Sequence, residues 1–193
     1  MEDSYGLPNY EKEHLHEEIS SIHSSVKSIH IDESSYLIMA KIGKGIQIPL
    51  SWVPATDGNV PHNAINVSGD IYVIRSKHDG HWIPGKAVIG HNTAYYPMNG
   101  QEIKTREYEV LCDTSLSGHN KGYEWESESG GNVPKNAIIA GMSGNDPLYI
   151  ARGSVNGEVC VGKVHYGHNC AYFPWGGNEH SVNDYEVLVW KKK

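Results

Sequence analysis

Apolar residues along this chain follow two different rhythms. Near the N-terminus, Leu15, Ile19, Ile22, Val26 and Ile29 are spaced four, three, four and three apart, the stripe of an amphipathic helix. His16, His23 and His30 recur every seven residues along one edge of that stripe, and Glu11, Glu13, Glu17 and Glu18 lie on the opposite surface. The pattern predicts a helix within residues 1–35. A stripe of this length is marginal in isolation, so the helix is expected to dock on the rest of the chain or to pair with a second copy. Residues 36–50 alternate apolar and polar about Gly43-Lys44-Gly45 and read as a short hairpin or linker.

From Ser51 onward the period changes to two. Strands are expected at Ile71 to Ser76, Trp82 to Ile89 with a break at Pro84-Gly85, Thr93 to Met98 and Tyr108 to Cys112. A second set is expected at Leu148 to Gly153, Glu158 to His165, Cys170 to Trp175 and Tyr185 to Trp190. His78-Asp79-Gly80 and Val155-Asn156-Gly157 carry hairpin chemistry between them.

The two sets are one pattern written twice. Gly58-Asn59-Val60-Pro61 returns as Gly131-Asn132-Val133-Pro134, and Gly85-Lys86 as Gly162-Lys163. Gly90-His91-Asn92 returns as Gly167-His168-Asn169, and each copy closes on Tyr-Glu-Val-Leu, at Tyr108 and Tyr185. The predicted architecture is all-β: two tandem, pseudo-twofold-related antiparallel repeats, 51–112 and 122–190, forming a sandwich- or barrel-like body behind the N-terminal α-helix. Asp113 to Lys121, rich in Ser, Gly and Asn, is the connector. Duplicated polar positions favour two binding sites over one catalytic centre.

Composition narrows the function. A net charge of −7 over 193 residues, with no basic stripe, argues against nucleic acid. No apolar run is long enough to cross a bilayer, and the first residues lack the features of a secretory signal. Cys112, Cys160 and Cys170 are odd in number, and Cys112 has no duplicate, so reduced thiols are expected. These features fit a cytoplasmic protein, vesicle-associated or released without a signal peptide.

The opening Trp, the G-N-V-P-x-N-A run, the Tyr-containing strand ending in Arg, the Gly-Lys step and the closing Y-E-V-L resemble the DM-nine (DM9) repeat family. The resemblance covers both copies, from Trp52 to Trp190. It implies a β-rich pseudo-twofold fold and, from tandem members of the family, calcium-independent binding of mannose. The family also occurs beside pore-forming modules of the natterin type. This chain departs from the usual G-G-K-E turn: Asn99-Gly100-Gln101-Glu102 and Gly176-Gly177-Asn178-Glu179 keep the acid and lose the lysine.

A hexose needs acceptors and donors for vicinal hydroxyls and an apolar wall for its ring. The repeats offer Asp70 and Asp146 before the Tyr-Arg strand, Lys86 and Lys163 after the glycine, and Glu102 and Glu179 at the turn. An Asp–Lys clamp across two hydroxyls is the leading candidate, with Asn63 and Asn136 as further contacts. Arg75 and Arg152 are candidates too, with a fold-holding ion pair to Glu102 and Glu179 as the alternative. The expected ligands are mannose or mannose-containing glycans, bound without a cofactor or metal and with oligomerisation through the helix. No catalytic motif stands out, so no enzyme activity is expected. The rival readings are a non-enzymatic scaffold assembled through the helix and a metalloprotein built on the 12 histidines.

Overall fold

The computed structural model describes residues 49–115 and 121–191. The helix expected over 1–35, and all but the end of the hairpin over 36–50, fall outside them. The described body is antiparallel β throughout, as the alternation and turn chemistry require.

The first repeat contains β1 (Leu50–Thr56), β2 (Asn66–Ser68), β3 (Ile71–His78), β4 (His81–Val88), β5 (Ala94–Met98), β6 (Gln101–Thr105) and β7 (Glu107–Asp113). The second contains β8 (Tyr123–Ser129), β9 (Ile139–Ser143), β10 (Asp146–Val155), β11 (Glu158–His165), β12 (Ala171–Trp175), β13 (Asn178–Val182) and β14 (Asp184–Trp190). The strand order is β1-β7-β3-β4-β5-β6, then its mirror image β13-β12-β11-β10-β14-β8, with β2 on β3 and β9 on β10. The halves meet edge to edge where Asn178 pairs with Gln101. Both expected hairpins are present. Asp79 and Gly80 have φ of 48° and 84°, and Asn156 and Gly157 have 51° and 85°, values suited to a tight two-residue turn.

Burial explains where alternation gives way. β4 and β11 each bury five residues in a row, because one face meets the repeat's own core and the other meets the opposite repeat. The expected break at Pro84-Gly85 does not occur. β3 pairs with β4 along its whole length, whereas β5 pairs with it only at Lys86 and Ala87. Pro84 therefore lies where β4 has a single partner, a place that tolerates a missing N–H.

Each repeat has a core of its own, around Ile74, Tyr108 and Val110 in the first and around Phe173, Tyr185 and Val187 in the second. A third cluster belongs to both: Leu50, Ile65, Val73 and Leu111 pack with their counterparts Tyr123, Ile138, Ile150 and Leu188. The repeats thus share one interior.

The signature motifs hold this frame together. Tyr108 and Tyr185, which open Y-E-V-L, donate their hydroxyls to the Asn59 and Asn132 carbonyls of G-N-V-P, at 3.0 and 2.9 Å. Gly58 and Gly131 have φ of 81° and 82°, and a Cβ on either would lie within 2 Å of the His91 or His168 carbonyl oxygen of G-H-N.

Candidate functional site

Lys86 and Lys163 do not present donors to an open cleft. They are 7% and 6% exposed. The Lys163 amine lies 3.0 Å from Glu179 Oε1 and donates to the Pro97 carbonyl of the other repeat at 2.8 Å. The Lys86 amine lies 3.8 Å from Glu102 Oε1 and donates to Cys160 Sγ of the other repeat at 3.4 Å. Burial pushes the Cys160 thiol pKa up, against the opposing pull of Lys86.

The two glutamates complete the link. Glu102 Oε2 accepts the Gly177 N–H at 2.8 Å, and Glu179 Oε2 accepts the Gly100 N–H at 2.7 Å. Backbone bonds from Glu102 to Gly177 and from Glu179 to Gly100, at 3.1 and 3.0 Å, run beside them. Each Lys–Glu pair therefore ties its own repeat to its neighbour. The Asp–Lys clamp is corrected accordingly: Asp70 and Asp146 are exposed beside the turns that enter β3 and β10, while the lysine amines point into the seam.

Asn63 and Asn136 are also committed to the fold. Asn63 Nδ2 donates to the Asp113 carbonyl at 2.8 Å, and Asn136 Nδ2 donates to the Trp190 carbonyl. Each pins the end of the closing strand, which explains why the residue is duplicated.

Arg75 and Arg152 do form ion pairs, but with Glu109 and Glu186, not with Glu102 and Glu179. Arg75 Nε donates to Glu109 Oε2 at 2.7 Å, and Arg152 Nε and Nη2 donate to Glu186 Oε2 and Oε1 at 2.7 and 2.9 Å. The register opposes Arg75 to Glu109 and Arg152 to Glu186. Trp52 lies 4.4 Å from the Arg75 guanidinium and Trp125 lies 4.7 Å from that of Arg152, each ring flanking the cation.

Open concavities lie beside these pairs. In the second repeat a hollow of about 820 Å³ is bounded by Ser127, Arg152, Ser154, Asp184 and Glu186, with Val67 and Ser68 of the first repeat at its rim. The matching face of the first repeat, bounded by Thr56, Ser76, Lys77, Trp82 and Glu109, holds one of about 570 Å³. Beyond the rim contributed by β2, most of their lining positions correspond under the duplication, with Pro54, Ala55, Thr56, Ser76, Lys77, Trp82, Glu107, Tyr108 and Glu109 matching Ser127, Glu128, Ser129, Gly153, Ser154, Val159, Asp184, Tyr185 and Glu186, whereas Arg152 has no counterpart in the first lining and Thr105 none in the second. Both volumes fall in the range of small-molecule sites. Sequence reasoning missed Glu109, Glu186, Trp82 and the β8 serines. The signal available was the invariant Glu of Y-E-V-L, one strand position from a buried Tyr and so on the opposite face.

A third duplicated feature lies away from the hollows. His91 Nδ1 is 2.9 Å from the Tyr95 hydroxyl, and His168 Nδ1 is 2.9 Å from that of Tyr172. In the second repeat His165 stacks on His168 at 4.3 Å. Burial, with smaller contributions from His168 and Lys163, lowers the His165 pKa to about 4, so it is neutral near pH 7. Among the described residues, no group of three or more His, Cys, Asp or Glu is arranged to hold a metal ion.

A model of the DM9 repeat matches residues 67–182, more than half of the chain. Natterin-3 of Thalassophryne nattereri is 38% identical over 66 residues, which cover 34% of this chain and 16% of natterin-3. Natterin-1 of the same species is 24% identical over 150 residues, covering 74% of this chain and 38% of natterin-1. The chain thus spans well under half the length of these relatives. The crystal structure of the nematode sperm cell motility protein MFP2B superposes with a TM-score of 0.55 at 18% identity, over 74% of this chain and 45% of that one. At that identity the likeness is one of fold.

Proposed function

Because the chain belongs to the DM9 repeat family, we propose that it is a non-enzymatic carbohydrate-binding module that recognises mannose-type glycans without calcium. The observation that carries this reading is the pair of matching hollows beside Arg75–Glu109 and Arg152–Glu186. The second-repeat hollow combines the Arg152 guanidinium with carboxylates and serine hydroxyls, and the first-repeat hollow presents Lys77, Glu109, Thr56 and the Trp82 indole, the chemistry that vicinal sugar hydroxyls demand.

A monosaccharide in a hollow this open binds with a Kd of about millimolar to micromolar. Useful avidity comes from more than one site on an assembled protein, with the N-terminal segment as the assembling element. The proposed setting is recognition of microbial surfaces by a cytoplasmic or vesicle-associated protein.

Glycan-array screening followed by calorimetric titration with mannose, with and without EDTA, tests the reading. Mannose-type glycans are expected to be retained, with an affinity unchanged by the chelator. Folded protein that retains no glycan, yet holds a stable protein partner, would replace it with the scaffold reading.

A further inference from the structure

We propose that the two hollows are unequal and that the saccharide occupies the second-repeat hollow, because Val159 stands there in the place that Trp82 takes in the first repeat. The inference rests on the carbohydrate-binding reading above and assigns its site.

In the first repeat the concavity is divided. Trp82 borders both the hollow of about 570 Å³ on the β1, β3 and β7 side and a separate one of about 370 Å³ formed with Arg75, His81 and Ile139 to Met142 of β9. Arg75 opens only onto the smaller compartment. Its guanidinium has the Trp52 and Trp82 rings each 4.4 Å away, and its Nη1 donates to the Ala140 carbonyl at 3.0 Å. Lys77 leans on the same indole, 5.0 Å from its centre. The donors a sugar would need are covered by aromatic rings or already engaged.

In the second repeat no indole stands in that position. One continuous hollow of about 820 Å³ runs from Val67 and Ser68, past Arg152 and Glu186, to Ser127, Ser129 and Asp184. Among the described residues Arg152 stacks on Trp125 alone. The N–H that corresponds to the Arg75–Ala140 bond finds no acceptor among the described residues, which leaves a donor facing the hollow.

The lining also selects among sugars. Glu128, Asp184 and Glu186 face Arg152 as the only cation in the wall, three negative charges against one positive, a formal excess of −2. Carboxylates and serine hydroxyls accept and share hydrogen bonds with an uncharged, hydroxyl-rich glycan, and they repel uronic or sulfated sugars.

The test is calorimetric titration of the full chain with α-mannobiose, for the wild type, Val159→Trp and Trp82→Val, with urea denaturation confirming that each is folded. The wild type is expected to bind one ligand per chain, Val159→Trp to weaken binding by about tenfold or more, and Trp82→Val to raise the stoichiometry towards two. An anionic disaccharide is expected not to bind. Two equal sites in the wild type, or unchanged binding in Val159→Trp, would overturn the assignment. Should Val159→Trp fail to fold, an unchanged stoichiometry in Trp82→Val overturns it instead. A folded wild type that binds no neutral glycan removes the carbohydrate-binding reading itself, a result distinct from both.

Discussion

Lys86 and Lys163 follow a glycine in each repeat, and what decides their role is where the amine ends. Both end in the seam between repeats, against Glu102 and Glu179, whose side chains are 8% and 10% exposed. Removing one member of such a pair leaves a buried charge without its partner. Lys163→Met is therefore expected to lower stability by about 3–5 kcal/mol, read by urea denaturation, while the folded fraction keeps its glycan affinity. Loss of affinity at unchanged stability would return the lysine to the binding site. The sequence displays these residues as repeated, but not which acid each cation meets, since the contacts cross from one repeat to the other. Arg75 shows the same limit from the other side. Its partner is 34 residues away at Glu109 and is found only once β3 and β7 are set in register.

Strands that bury one face against a core were readable, and strands that serve another purpose were not. β3, β5 and β7, and their counterparts β10, β12 and β14, are apolar towards a core, β4 and β11 carry a continuous buried run, and the expected spans of all eight fall within a few residues of the observed ones. β8 reads Tyr-Glu-Trp-Glu-Ser-Glu-Ser, an edge strand too polar to announce itself. β6 and β13 lie at the axis where the halves join, and their sequences Gln-Glu-Ile-Lys-Thr and Asn-Glu-His-Ser-Val look like continued turn. The glycine of the Gly-Lys step has its reason at this scale. A Cβ on Gly162 would sit 2.0 Å from the Tyr172 carbonyl oxygen, and one on Gly85 would sit 2.1 Å from that of Tyr95. Gly162→Ala is expected to force β11 and β12 apart and cost about 1–3 kcal/mol, measured as a shift in the urea midpoint. An unchanged midpoint would mean the strands yield freely there.

The whole body behaves as one unit in this arrangement, because the central cluster draws its residues from both repeats. Unfolding is expected in a single transition, with tryptophan fluorescence and far-ultraviolet circular dichroism giving the same midpoint. Two separated midpoints would show repeats that melt independently. The duplication itself was plain in the sequence. That the copies interlock, instead of standing side by side, depends on contacts between residues more than seventy positions apart, such as Gly100 with Glu179.

The mirrored strand order has one more consequence. The Glu102–Gly177 bonds are returned across the axis by Glu179 and Gly100, which is the geometry by which identical chains form a dimer. A chain carrying one such repeat would meet a second copy of itself through this surface, at a strength set by its abundance. Covalent fusion of the two fixes the effective concentration of the partner. It also lets each copy hold different side chains at matching places, as Trp82 and Val159 do, a freedom no true homodimer possesses.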